Sequence, residues 1–162
     1  MLKKSLLSLW RVVIISTRII LEINRETRDR ELEKKIPNLQ PLVRIFSKIK
    51  FPELETPEDA LIDTGAHISI IPFYLWKKLN VEVIAEHKTS GIVPNESIPV
   101  NVGYVTANII DEHGNISKDI KFLSYLEFTN KIPLILGMRD LLEKFNLHIL
   151  FSQNKAYLEE VD

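Results

Sequence analysis

The sequence predicts a mainly β domain with one or two short helices, preceded by a helical extension. Three observations predict it. After Pro41, short apolar runs recur, separated by Pro, Gly, Asn and Ser. Before Pro37, the chain has neither Gly nor Pro and shows apolar residues at helical spacing. At 162 residues the chain suits one domain plus such an extension.

In the extension, Leu2, Leu6, Leu9 and Val13 recur on one helical face. From Glu22 the segment becomes highly charged, with opposite charges four apart at Arg25 and Asp29, Glu26 and Arg30, and Glu31 and Lys35. Pro37 stops it. The β-branched residues Val12 to Ile15, Ile19 and Ile20 weigh against this helix, because they are stiff at χ1. The expected organisation is therefore a helical extension and linker over 1–40 and a domain over 41–162.

Within the domain, strands are expected at 42–49, 60–63, 68–71, 81–88, 98–110, 116–126, 134–136, 147–151 and 156–158. Pro52, Pro57, Pro94-Asn95, His113-Gly114-Asn115 and Ser152-Gln153-Asn154 mark the breaks. Short helices are expected over 73–79, after Pro72, and over 139–145, after Gly137. Many short strands with two small helices point to a closed or sandwich-like β domain.

Composition excludes several functions. Net charge is −1, so nothing draws the chain as a whole toward nucleic acid. Lys77-Lys78 beside Trp76 is too small a basic patch to change that. Without cysteine there is no disulfide framework, thiolate nucleophile or Cys-bound zinc. This fits a reducing compartment, and a cytoplasmic location is expected. The most apolar stretch, 6–21, contains Arg11 and Arg18, each costing about 2.5–3.5 kcal/mol at the centre of a membrane span. A surface-lying amphipathic segment over 1–23 remains compatible with Lys3, Lys4, Arg11 and Arg18. The four histidines lack a metal-binding spacing, Ser69 and Ser90 lack a base at motif spacing, and no glycine-rich phosphate loop occurs. No metal and no cofactor is expected.

The chemistry concentrates at Ala60-Leu61-Ile62-Asp63-Thr64-Gly65-Ala66. An apolar run delivers one carboxylate to a turn, followed by a hydroxyl and a glycine. Some seventy residues later come Pro133-Leu134-Ile135-Leu136-Gly137 and Met138-Arg139-Asp140-Leu141-Leu142. Together these segments resemble the retropepsin-like aspartic proteases, the single-lobe relatives of pepsins, over residues 41–159. The resemblance implies a closed acid-protease β-barrel, with the acid turn at a dimer axis and the Leu-Gly segment packed behind it.

By that resemblance Asp63 is the catalytic aspartate, Thr64 braces the turn against its dimer mate, and Gly65 admits substrate backbone. Ala66 and His67 then lie beside the substrate. Leu61, Ile70, Pro133 and Ile135 line its pockets, and Gly91, Ile92 and Val93 form a flap over it. The implied activity is peptide-bond hydrolysis by a homodimer, with one Asp63 from each copy and a polypeptide bound as an added strand. Two carboxylates about 3 Å apart share one proton and activate a water between them. Pepsins usually carry a hydroxyl residue where Ala66 stands, so a mildly acidic to near-neutral working pH is expected. His67 replaces an acid common in retroviral members, and the C-terminal segment 147–158 is longer than their single terminal strand. Two other readings are compatible with the residues: a dimeric peptide-binding scaffold of the same fold that turns nothing over, and a membrane-associated signalling protease.

Overall fold

The computed structural model of the protein describes residues 17–90 and 97–161. Ten strands make one sheet among these residues: β1 (Arg18–Thr27), β2 (Leu42–Lys50), β3 (Glu58–Ile62), β4 (Ser69–Ile71), β5 (Glu82–Ser90), β6 (Ser97–Ile110), β7 (Ile120–Glu127), β8 (Ile135–Leu136), β9 (Phe145–Leu150) and β10 (Lys155–Glu160). Their helical content is two single turns, α1 (Arg30–Glu33) and α2 (Phe73–Trp76), and the 3-10 turns Leu142–Lys144 and Phe151–Gln153.

The strands are ordered β5-β6-β7-β4-β8-β3-β2-β1-β10-β9, and β6 also pairs with β2. β6 can serve three neighbours because it is 14 residues long. Its residues 97–104 pair with β5, 100–107 with β7, and 108–110 with β2. The pairing therefore runs from β6 through β7, β4, β8 and β3 and returns at β2. Two parallel pairings, β3 with β8 and β4 with β7, sit among otherwise antiparallel ladders. The core collects alternate residues of nearly every strand, including Ile19, Ile49, Ala60, Ile71, Ile109, Phe122, Leu126, Leu136 and Leu158.

The expected helix over the extension is not what forms in its described part. Residues 18–27 are the strand β1, and residues 1–16 lie outside the described residues. The burial of β1 alternates, with Ile19 and Leu21 inside and Arg18, Ile20 and Glu22 outside. Its lower half pairs with β10, Arg18↔Glu159 through Leu21↔Ala156, and its upper half with β2. Partners on β10, more than a hundred residues away, and on β2, about twenty residues away, satisfy this backbone, and the β-branched isoleucines suit the pleat. The charges follow: Arg18 Nε meets Glu159 Oε1 at 2.8 Å, and Arg25 Nε donates to Asn154. Of the segment 1–23 expected to lie on a membrane surface, residues 18–23 are strand. The helical tendency survives only in α1, where the Asp29 carboxylate caps the Leu32 N–H at 2.9 Å.

Asp111 fastens β1 to the rest of the sheet. Its buried carboxylate accepts from the Ile20 N–H (2.8 Å), the His113 and Asn115 N–H groups (2.9 and 3.0 Å) and the Asn115 amide (2.8 Å). Burial opposes the charge, but the Asn115 amide and these N–H donors outweigh it and hold the group below the usual aspartate range.

The second expected helix is also shorter than its sequence suggests. Residues 138–141 form a turn in which Asp140 takes φ 62°, a left-handed conformation that stops an α-helix from propagating. Only the 3-10 turn Leu142–Lys144 follows before β9 begins. After Pro72, the helix α2 closes at Trp76 and continues as a turn to Leu79. Among the described residues no helix is long and apolar enough to cross a membrane.

Candidate active site

Asp63 stands at the end of β3, and backbone geometry fixes its place. β3 and β8 run parallel, with Leu61 N–H donating to Leu134 O (2.9 Å) and Asp63 N–H to Leu136 O (3.1 Å). The chain then turns sharply, with Ala66 N–H donating to Asp63 O at 3.2 Å. The Gly65 N–H donates to Asp63 Oδ1 at 2.9 Å and so orients the carboxylate. Asp63 is half-buried, while Thr64, Gly65 and His67 are exposed in the single chain.

The segment after β8 staples this turn from behind. Met138 N–H donates to Ala66 O and Arg139 N–H to His67 O, both at 2.9 Å, and Gly137 N–H donates to Ser69 Oγ at 3.0 Å. Gly137 is needed for this approach. A Cβ there would lie 2.6 Å from the Ile68 carbonyl carbon and 2.7 Å from its oxygen. The two motifs, remote in sequence, are thus one backbone-bonded unit.

Asp63 opens into a cavity of about 560 Å³, within the range of ligand-binding clefts. Ala66, His67, Ile70, Pro133 and Ile135 line it, as does Gly65. One face of the sheet builds its floor, because Ile70 registers with Tyr125 on one side and Ile135 on the other. Leu61 is placed differently from these residues. It lies in the ladder between Phe46 and Ile135 and does not line the cavity of the single chain. Thr64 also lies off the cavity, exposed at the tip of the turn. Gly91, Ile92 and Val93 fall outside the described residues. The strands on either side of them, β5 and β6, pair up to Ser90↔Ser97.

The structure adds Ile68, Thr89, Tyr125, Lys131 and Ile132 to the lining. Lys131 and Ile132 directly precede Pro133 and were within reach of sequence reasoning. Tyr125 and Thr89 come from strands whose register no local pattern reveals.

Among the described residues, Asp63 is the one acid on this cavity. Asp140 points elsewhere: its Oδ2 accepts from the Leu123 N–H at 3.4 Å and lies 3.8 Å from Arg139 Nε. A second cavity, of about 340 Å³, is walled by Lys48, Asp59, Asp111 and Glu112 among others. Its buried carboxylate, Asp111, is already committed to four donors, which leaves it poorly suited to chemistry. No group of three or more His, Asp or Glu among the described residues is placed to hold a metal ion.

No family model and no curated protein matches the chain. Among solved structures, the chain is similar to a retropepsin-like aspartic protease from Rickettsia conorii, with a TM-score of 0.48 and 14% identity over 90% of this chain and 95% of that one. It is also similar to the EIAV protease, solved in complex with the inhibitor HBY-793, with a TM-score of 0.37 and 21% identity over 67% of this chain and 91% of that one.

Proposed function

We propose that the chain is an aspartic endopeptidase that works as a homodimer, with Asp63 of each copy completing one catalytic pair. The observation that carries this reading is the Asp63 turn itself. It is an exposed acid turn, clamped by Gly137, Met138 and Arg139, that opens into a largely apolar groove with no other acid among its described residues. One carboxylate does not make an acid–base pair, and an exposed Thr64 and Gly65 leave the tip of the turn accessible to a second copy.

In the dimer the two Asp63 carboxyls share one proton. The ionised one takes a proton from the water between them as that water attacks the scissile carbonyl carbon. The protonated one donates to the carbonyl oxygen. The resulting gem-diol collapses when a carboxyl returns a proton to the amide nitrogen, which releases an amine and a carboxylic acid. Gly65 N–H holds Asp63 Oδ1 in place, Thr64 braces one turn against the other, and Ile70, Pro133 and Ile135 receive apolar side chains. Pairing alongside an extended peptide would supply backbone hydrogen bonds.

The test is digestion of a denatured protein mixture from mildly acidic to neutral pH by the wild type and by Asp63→Asn, with and without pepstatin. Cleavage by the wild type alone, with the variant silent yet still dimeric, is the expected result. Retained cleavage in Asp63→Asn overturns the assignment. Pepstatin binding by a folded dimer that cleaves nothing would favour a peptide-binding scaffold instead.

A further inference from the structure

The charge on the walls of the Asp63 groove bears on what the groove accepts. Its lining is apolar at Ile68, Ile70, Ile132, Pro133 and Ile135, and besides Asp63 it carries two described side chains of basic type. One is His67, and the other is Lys131. Lys131 is exposed, and none of the ion pairs among the described residues engages it. Its backbone is fixed by the donation of its N–H to Thr129 Oγ1 at 3.2 Å. From there the chain runs through Pro133 into β8, whose Ile135 pairs with Leu61, two residues before Asp63.

The size of the cavity bounds which substrate residue Lys131 can meet. Lys131 and Asp63 line one cavity, and a cube of about 560 Å³ is about 8 Å on a side, or two to three residues of extended peptide at about 3.3 Å each. The charges of Asp63 and Lys131 in the groove of the dimer have a definite sum. Two Asp63 sharing one proton carry one negative charge, and two Lys131 ammonium groups carry two positive charges.

We infer that the groove selects peptides with an acidic side chain two or three residues from an apolar scissile pair, and that Lys131 is the specificity-determining residue. This rests on reading the cavity as the peptide groove. The ammonium meets the acid away from the reacting atoms, so it strengthens binding of substrate and transition state alike and acts on KM rather than kcat. Because the pair is solvent-exposed, the preference is modest and weakens as salt rises.

The test uses the full chain and fluorescein-labelled decapeptides with a central Leu-Leu pair and Glu, Gln or Lys placed in turn at the second and third positions on either side. Cleavage is followed with the wild type, and binding by anisotropy with Asp63→Asn, which separates recognition from turnover. Each is repeated with Lys131→Gln and Lys131→Glu, exposed changes that break no ion pair of the described residues. At its best position the Glu peptide is expected to exceed the Gln peptide by about 1.5- to 5-fold, with Lys below both. Lys131→Gln should flatten the series and Lys131→Glu reverse it. An unchanged Glu-to-Gln ratio in Lys131→Glu, or no charge preference in the parent chain, overturns the inference. Cleavage without charge preference overturns it while leaving the peptidase reading intact. Glu-selective binding that depends on Lys131, without any cleavage by the wild type, supports it and overturns the peptidase reading.

Discussion

Replacing Gly137 with alanine would drive a methyl group into the back of the acid turn. The new Cβ would sit 2.6 Å from the Ile68 carbonyl carbon, 2.7 Å from its oxygen and 2.8 Å from Ser69 N. All three are backbone atoms, so no side chain can rotate away. Restoring a contact of 3.4 Å requires the two segments to part by about 0.8 Å. Overpacking of this kind costs about 1–3 kcal/mol. Parting the segments also stretches the bonds from Gly137 to Ser69, Met138 to Ala66 and Arg139 to His67, each worth about 0.5–1.5 kcal/mol. A less flexible unfolded chain offsets about 0.4–1 kcal/mol. The net loss is about 1.5–7 kcal/mol, the upper end applying if all three bonds are lost, or a fall in Tm of about 3–28 °C for a chain of this size. Thermal melts at one fixed protein concentration, together with denaturant unfolding, would measure it. On the proposed peptidase reading, cleavage should fall by about a hundredfold, since a displacement near 1 Å at a catalytic group costs that much. Gly114→Ala is the control. Gly114 has φ +85° and no atom within 4 Å of where an added methyl group would stand, so only backbone strain of about 1–2 kcal/mol applies, with no effect on cleavage. If Gly137→Ala melted within a degree of the wild type, or Gly114→Ala proved the more damaging, the close-approach argument would fail.

Two further predictions concern buried carboxyls. Glu127 on β7 is wholly buried, neither carboxyl oxygen has a hydrogen-bond partner among the described residues, and burial pushes its carboxyl up. A raised folded-state value means that its contribution to stability is full below the ordinary glutamate range and is lost as pH rises through the folded value. Glu127→Gln should therefore match the wild type near pH 4 and become the more stable protein toward neutrality, read from denaturant midpoints across pH; parallel curves would refute the buried, unpaired placement. Asp111 has the opposite sign. Its held-down carboxylate stabilises the fold above the ordinary aspartate range and loses that effect as pH falls through the lower folded value. Asp111→Ala should cost about 2–4 kcal/mol near neutrality by orphaning the Ile20, His113 and Asn115 donors. Hydrogen exchange should show β1 opening first, and unchanged protection of the Ile20 amide would refute the clamp.

The sequence by itself determined those elements whose signals are local. Each of the nine apolar runs after Pro41 contains a strand, because alternation with flanking Pro, Gly and Asn restricts a short segment to one extended conformation. Their ends moved where pairing rather than composition decides: β7 begins at Ile120, and Ile116 keeps only an isolated bridge to Ile110. The acid turn was legible for the same reason, since Asp63, Thr64 and Gly65 carry their geometry within three residues. Tertiary structure decided the rest. Residues 18–27 belong to a segment without Gly or Pro, expected to be helical, yet they form β1 because β2 and β10 offer ladders that no local count can see. Asp140 at φ 62° ends a helix that composition favoured, as the chain turns into β9. Tyr125 and Thr89 reach the groove through strand register. Side-chain chemistry is written residue by residue along the chain, but which side chains share a face is set by pairings between segments tens of residues apart.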